Sequence, residues 1–246
     1  MQRSASRPSR SRTRNRVRML ACAAVPVMIV AAGCSSGSDS GSDSGKDKDK
    51  PSASASKAAK VAPAKFTTLP ADPCKAIAAK TTADLVPEAK DKSGSAGKSS
   101  DITTRGSCSW NGLDDNGVKG SQYRWLDLSF MRYDSDQGIG SGQDRAAAYY
   151  KKEVAKAQAT KGAKSPKAAP ASGVGTEATT ITYSLSKTGE TFGYATVVTR
   201  SENVVITLTY NGAGYAGAKS PAASDLVKGA TKAAKEAVAS VPAAKE

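Results

Sequence analysis

Five segments of the chain between residues 105 and 210 alternate apolar and polar positions, which is the period of a β-strand with one buried face. The predicted strands span residues 105–113, 122–133, 178–185, 191–199 and 203–210. The connections between the last three are of hairpin length, so these strands are expected to form an antiparallel meander.

The predicted strand over residues 122–133 differs in composition between its two faces. One face is apolar, and the other is aromatic but interrupted by an acid and a hydroxyl. The first consists of Leu126, Leu128 and Phe130, and the second of Tyr123, Trp125, Asp127, Ser129 and Met131. The first face is therefore assigned to the core, and the second is either half covered by another element or a shallow binding surface. On the latter interpretation, Tyr123, Trp125 and Met131 are the candidate ligand-binding residues.

Helical patterns occupy other segments. Asp72 and Pro73 are typical of an N-cap and the first helical position, so a helix is predicted over Pro73–Lys80. Two longer helices are predicted, over residues 144–160 and 220–240. Two stretches rich in Lys, Ser, Ala and Gly are predicted loops, 89–101 and 161–173. Together these elements predict one α+β domain over residues 67–246, with a single antiparallel sheet of about five strands and helices packed on one side.

Residues 1–33 have the composition of a bacterial signal peptide. Seven arginines and no acid occupy the first eighteen residues, and an uncharged run of fourteen follows. Fourteen residues that rise about 1.5 Å each span about 21 Å, which is short of the ~30 Å hydrocarbon core of a bilayer. The run Val30-Ala31-Ala32-Gly33-Cys34 resembles the lipobox of bacterial lipoproteins, so Cys34 is the predicted lipidation site. The alternative is an ordinary signal peptide cut after an Ala-x-Ala-like site.

Residues 34–66 form the predicted tether between the lipid and the domain. Ser, Gly, Asp, Lys and Ala dominate this stretch, which cannot bury enough apolar surface to offset the entropy of ordering it. Its root-mean-square span of about 30 Å would keep the domain close to the membrane. We therefore expect a protein of the cell membrane that is lipid-anchored on the extracytoplasmic side.

Half of the net positive charge of the chain belongs to the predicted leader. Removing the leader lowers the formal net charge from +14 to +7, and the remaining lysines form no basic stripe interleaved with aromatic residues. We therefore expect no nucleic-acid partner. A monomer is expected, in contact with the membrane through the lipid anchor and with an unknown ligand or envelope protein as partner.

Cysteine and histidine usage restricts the chemistry of the exported chain. Cys22 leaves with the leader and Cys34 takes the lipid, so Cys74 and Cys108 remain and are expected to form a disulfide. Trp110 shares a strand face with Cys108, so its indole can pack against this bridge. The chain has no histidine, which removes the common Ser–His and Cys–His nucleophile pairs and nearly every zinc, copper or non-haem iron site. We expect no catalytic residues, no metal and no cofactor.

Three short motifs carry a resemblance to a known family. They are Asp72-Pro73-Cys74 before an Ala-rich helix, Cys108-Ser109-Trp110 in a strand, and Gly173-Val174-Gly175-Thr176-Glu177-Ala178 before a strand. Over residues 70–210 the chain resembles an actinobacterial lipoprotein domain of unknown function that has a "DPC" opening and a "C-x-W" strand. The resemblance implies an envelope lipoprotein with this disulfide and supplies no catalytic residues.

Three interpretations of the function fit these features. The first is a non-catalytic lipoprotein that binds a small apolar or wall-derived ligand, or a protein partner, at the outer face of the membrane. The second is an envelope hydrolase or transferase that works without histidine, for which a pair of carboxylates with raised pKa values in a pocket would be the sign. The third is a structural accessory of a membrane complex, which differs from the first in having no pocket.

Overall fold

The computed structural model describes residues 60–243, and of Ala243 it describes the backbone alone. Cys34, the predicted leader and the predicted tether up to residue 59 lie outside the described residues, as do residues 244–246. The lipidation site and the cleavage of the leader therefore remain predictions.

The described chain forms one antiparallel sheet with α-helices packed against it. The strands are β1 (Ser95–Ala96), β2 (Arg105–Asp115), β3 (Ser121–Arg132), β4 (Lys164–Pro170), β5 (Glu177–Lys187), β6 (Glu190–Ser201) and β7 (Val204–Tyr215). The helices are α1 (Ala79–Leu85), α2 (Gly142–Gln158) and α3 (Ala223–Ala243), with 3₁₀ turns at Pro73–Lys75 and Gly117–Lys119. The strand order is β1-β2-β3-β7-β6-β5-β4, and every neighbouring pair is antiparallel. The α+β class and the meander of β5, β6 and β7 are thereby confirmed.

The sheet has seven strands, so the prediction of about five was wrong. The two additional strands are its edges, β1 and β4. Every residue of β4 is exposed, so nothing requires its side chains to alternate, and its sequence has the composition of a loop. Backbone hydrogen bonds to β5 hold this strand in place, and such bonds leave no apolar pattern in the sequence.

Helices pack on both faces of the sheet, so the prediction of one covered side was also wrong. Helix α3 packs on the face that carries Val197 and Ile206, whereas α2 packs on the face that carries Val198 and Val205. Successive side chains of a strand point to opposite faces. The central strands β6 and β7 carry apolar side chains on both faces, and each face therefore needs a cover.

A stripe of alanines brings α3 close to its face of the sheet. The fully buried members of this stripe are Ala230, Ala233, Ala234 and Ala237. The apolar face of β3 lies in the same cluster, with Leu126 and Leu128 wholly inaccessible to solvent and Phe130 buried. The assignment of these three residues to the core is therefore confirmed.

The helix predicted over Pro73–Lys80 is divided in two. A 3₁₀ turn occupies its first residues, and α1 begins only at Ala79. Asp72 caps the turn as predicted, since its carboxylate accepts a hydrogen bond of 3.0 Å from the backbone N–H of Cys74. The capping residues thus mark the start of a helical turn, and the following chain bends before α1 begins.

Cys74 and Cys108 form a disulfide that ties this turn to β2, with 5.1 Å between their Cα atoms. Trp110 is buried beside the bridge, as their shared strand face predicts. Gly94 lies against both groups, because a Cβ atom there would stand 2.6 Å from the sulfur of Cys108 and 2.6 Å from the indole of Trp110. A side chain at position 94 would therefore displace the bridge or the indole.

The sequence pattern predicts that the domain starts at residue 67. In the structure, the packed chain begins earlier. Phe66 is buried, and its backbone N–H donates a hydrogen bond of 2.9 Å to Oδ1 of Asn203. The amide of Asn203 in turn donates to the carbonyl oxygens of Phe66 and Tyr133, at 2.8 and 2.9 Å. Asn203 therefore joins the end of the predicted tether to the start of β7.

Candidate ligand-binding face

The face of the sheet opposite α3 is covered at one end only. Helix α2 lies there, where its Ala146 and Tyr150 pack with Ile181, Val198 and Val205. Farther along, a second cluster of buried side chains is formed by strand residues alone. We call this part of the sheet the open face. It comprises Asn111 of β2, Tyr123, Trp125 and Asp127 of β3, Tyr183 of β5, Phe192 and Tyr194 of β6, and Thr209 and Asn211 of β7.

The strand registers place one row of five side chains across the open face. In order from β5 to β2 the row is Tyr183, Tyr194, Asn211, Trp125 and Asn111. Five adjacent strands about 4.8 Å apart give this row a length of about 19 Å. The buried amide of Asn211 therefore lies between aromatic side chains on both sides, and the amide of Asn111 ends the row at β2.

Ring contacts hold four aromatic side chains of the open face in fixed positions, namely Tyr123, Tyr183, Phe192 and Tyr194. Tyr183 and Tyr194 stack with their ring centroids 4.8 Å apart and their planes 7° from parallel, and Tyr123 meets Phe192 edge to face. The ammonium of Lys187 donates a hydrogen bond of 2.8 Å to the hydroxyl of Tyr194. Since these side chains are ordered before any ligand arrives, binding costs little side-chain entropy.

The two tryptophans of the chain differ sharply in exposure. Trp110 is 2% exposed, whereas Trp125 is 41% exposed. A large apolar side chain left open in the middle of a sheet, rather than at a loop tip, is typical of a recognition surface.

Asp127 lies one row away from Trp125, beside Thr209 of β7 and Ser109 of β2. Within residues 60–243 its carboxylate has no hydrogen bond and no ion pair. Desolvation raises the pKa of Asp127 above its ordinary value. An unpaired, half-buried carboxylate beside an exposed indole is able to accept hydrogen bonds from a bound hydroxyl or ammonium group.

The structure brings two of the three predicted binding residues together. Tyr123 and Trp125 both belong to the open face, and each contributes an aromatic ring there. Met131 lies six residues farther along β3, about 20 Å from Trp125. It lines a cavity of about 310 Å³ at the edge of α2, together with Arg105 and Tyr149.

Sequence reasoning missed the residues that the other strands contribute to the row, namely Tyr183, Tyr194 and Asn211. A signal for the two tyrosines was present, because they lie almost symmetrically about the short hairpin that joins β5 to β6. Pairing outward from that turn brings the two rings opposite each other. The hairpin that joins β6 to β7 places Asn211 opposite Tyr194 in the same way, but the pairing of Asn211 with Trp125 of β3 depends on the order of strands in the sheet.

Among residues 60–243, no helix has the length and apolar composition needed to cross a membrane. In the same range, no group of three or more His, Cys, Asp or Glu side chains is placed to hold a metal ion.

Comparisons with known proteins find one weak structural neighbour. No protein-family model matches the chain, and a search of curated proteins finds no match. Among solved structures, LpqN, described as involved in cell envelope biogenesis of Mycobacterium tuberculosis, matches with 18% identity and a TM-score of 0.29. The match covers 54% of this chain and 68% of that one. This likeness is too weak to carry an argument, so membership of the "DPC" lipoprotein family remains a prediction.

Proposed function

We propose that this chain is a lipid-anchored, extracytoplasmic protein whose open face binds a saccharide of the cell wall without chemical change. The observation that carries the proposal is the row from Tyr183 to Asn111, in which an exposed indole stands near an unpaired carboxylate. The C–H bonds on one side of a sugar ring pack against the electron-rich face of an aromatic ring, while the hydroxyls need hydrogen-bond partners at its rim. Trp125 supplies such a ring, and Asp127 and Asn111 supply partners.

The polar side chains of the open face favour a saccharide over a purely apolar ligand. An apolar molecule lying on Trp125 would take water away from Asp127 and give it no hydrogen bond in return. Leaving a buried polar group without a partner costs about 1–3 kcal/mol. Sugar hydroxyls avoid this cost because they donate to the carboxylate.

The size of the open face favours a small ligand over a protein partner. Three rows of side chains about 7 Å apart, each about 19 Å long, cover roughly 270 Å². A stable protein–protein interface buries about 800 Å² on each partner. The open face is therefore large enough for a short oligosaccharide and too small, taken alone, for a stable protein complex.

The anchor is the second part of the proposal. It rests on the run of small residues that ends at Cys34 and on the polar stretch that follows, which together are typical of an exported lipoprotein. Two or three acyl chains on this cysteine would keep the open face within reach of wall polymers near the membrane.

Tryptophan fluorescence tests the binding part of the proposal. Iodide should quench Trp125 and spare the buried Trp110, so protection from iodide by glycan oligomers released from purified cell wall would report occupancy of the open face. Calorimetry with the same oligomers should show binding that is lost in Trp125→Ala and kept in Ile102→Ala, which truncates an exposed apolar residue elsewhere. Equal affinity in both variants would contradict the proposed site. New reducing ends that Asp127→Asn abolishes would instead favour the hydrolase interpretation.

Membrane fractionation tests the anchor. Cys34→Ala should appear in the medium or persist as an uncut precursor, because no thioether can form at that position. Cys22→Ala, which changes a cysteine of the leader, should remain in the membrane fraction. Retention of a processed Cys34→Ala chain at the wild-type level would exclude lipidation as the anchor.

A further inference from the structure

A cavity of about 310 Å³ lies where α2 meets β2 and β3, at the covered end of the face that carries Trp125. Three cationic side chains line it, and each comes from a different part of the chain. They are Lys98 from the segment after β1, Arg105 from the start of β2, and Lys156 from the last turn of α2. Hydroxyl groups line the strand side of the cavity, from Ser107, Ser129 and Thr207. The cavity is thus positively charged and rich in hydrogen-bond donors.

The acid that lines the cavity is already paired. Lys156 Nζ lies 3.2 and 3.1 Å from the two carboxylate oxygens of Glu153. Tyr149 also donates a hydrogen bond to Glu153, and desolvation together with this carboxylate raises the pKa of Tyr149 to about 12, so its hydroxyl keeps its proton. The charges of Glu153 and Lys156 therefore cancel, and the positive charge of the cavity comes from Lys98 and Arg105.

Lys98 and Arg105 have no side-chain hydrogen bond or ion pair with any residue between 60 and 243. Gly97 holds the first of them against β2. Its N–H donates to the carbonyl oxygen of Ser107 at 2.9 Å, and a Cβ atom at this position would stand 2.0 Å from the hydroxyl oxygen of Ser107. The absence of a side chain at position 97 therefore lets the segment carrying Lys98 lie along the cavity rim.

We infer that this cavity binds a phosphoryl group, as the free ion or as a phosphate ester. A guanidinium presents parallel N–H donors that match two phosphate oxygens, and an ammonium adds a point charge. On the strand side, the hydroxyls of Ser107 and Thr207 are available to donate to the remaining oxygens, whereas the hydroxyl of Ser129 donates to the backbone carbonyl oxygen of Thr207 at 3.4 Å. An adjoining cavity of about 410 Å³ shares Arg105, Met131 and Tyr149 and provides room for the group esterified to the phosphate. This site is separate from the open face and does not depend on its proposed function.

Titration of the purified, ¹⁵N-labelled full-length chain with inorganic phosphate and with glycerol 1-phosphate tests the inference. Saturable shifts are expected at the backbone amides of Ser107, Ser129 and Thr207. Arg105→Gln should weaken binding at least about tenfold, because it removes a charge-assisted, bidentate contact. Glu153→Gln should strengthen binding, because it removes the acid that faces the ligand.

Lys161→Gln is the matched control, since it removes one exposed positive charge away from the cavity. It should change the affinity by no more than about twofold, as expected for a screened distant charge. Equal losses in Lys161→Gln and Arg105→Gln, or the absence of saturable shifts, would overturn the inference. Trp125→Ala should bind phosphate with unchanged affinity. The outcome for the phosphate site is therefore independent of whether the open face binds a saccharide.

Lipid vesicles distinguish the possible sources of the phosphoryl group. Phosphatidylglycerol vesicles that displace glycerol 1-phosphate, while phosphatidylcholine vesicles do not, would assign an anionic lipid headgroup. Failure of both vesicles to displace it would assign a soluble ester or a wall polymer. Both outcomes support a phosphoryl site at Arg105.

Discussion

The two faces of the sheet are built from the same strands, but one is fully covered by helix and the other only in part. On β3, Leu126 is fully buried under the side that carries α3, whereas its neighbour Trp125 is 41% exposed on the other side. The alanine stripe of α3 closes the first face. Helix α2 covers only one end of the second and leaves rings that pack against one another. We conclude that the open face stays ordered without a covering helix because its aromatic residues bury each other.

The largest effect in this comparison is expected from Trp110→Ala on the α3 side. Removing a buried indole leaves a cavity and should lower the free energy of unfolding by about 3–5 kcal/mol. The indole N–H is buried without a hydrogen-bond partner among the described residues, so the loss is one of packing. Urea unfolding followed by far-ultraviolet circular dichroism measures it. A loss below about 1 kcal/mol would mean that the two faces do not differ as the exposures imply.

Loss of the disulfide should have the next largest effect. The bridge closes a separation of 34 residues, and on the chain-entropy model its removal should cost about 3–4 kcal/mol. Replacing Cys74 and Cys108 together by alanine avoids a free thiol, and differential scanning calorimetry records the fall in Tm. Because the bridge lies on the α3 side, the proposed binding of wall glycan to the open face should survive at temperatures where the variant is folded. Lost binding by a folded variant would show that the two sides are coupled.

Trp125→Ala should cost little stability, about 1 kcal/mol or less, because 41% of this side chain is already exposed in the folded chain. The same urea experiment, run beside Trp110→Ala, provides a direct comparison of one residue type on two faces. A loss of 3 kcal/mol or more would make Trp125 a structural residue and remove the basis of the proposed saccharide site.

The smallest effect is expected from Asp127→Asn. The raised pKa of Asp127 means that the folded chain binds this proton more tightly than the unfolded chain does. Its contribution to stability is therefore present below the ordinary value of 3.8 and is lost as pH rises through the higher folded value. Asp127→Asn should raise Tm slightly at pH 7 and leave it unchanged at about pH 2.5, where the wild-type carboxyl is protonated in both states.

Asp91→Asn is the control with the opposite sign. Hydrogen bonds from Ser93 lower the pKa of Asp91, so its ionised form favours the fold and is lost as pH falls. This variant should lower Tm at pH 7. An equal rise in both variants would point to a general effect of removing negative charge rather than to burial of Asp127.

Sequence periodicity was sufficient for the elements that bury one apolar face. The core side of β3, the meander and the capping role of Asp72 could all be read from local patterns, because burial and capping constrain residues that are near in sequence. The same local logic indicated that Tyr123 and Trp125 share a face. It could not separate them from Met131, because whether a helix covers a strand face depends on where that helix packs.

The sequence by itself determined the predicted anchor at Cys34, the predicted pairing of Cys74 with Cys108, and the α+β class, since these follow from residue counts and short periods. Only the tertiary structure decided that β4 pairs with β5, that α2 and α3 lie on opposite faces, and that Tyr194 and Asn211 stand in one row with Trp125. The physical reason is that strand order and helix placement are set by contacts between residues far apart in the chain. Backbone hydrogen bonds, which every residue type offers, join the edge strands without leaving a trace in the order of side chains.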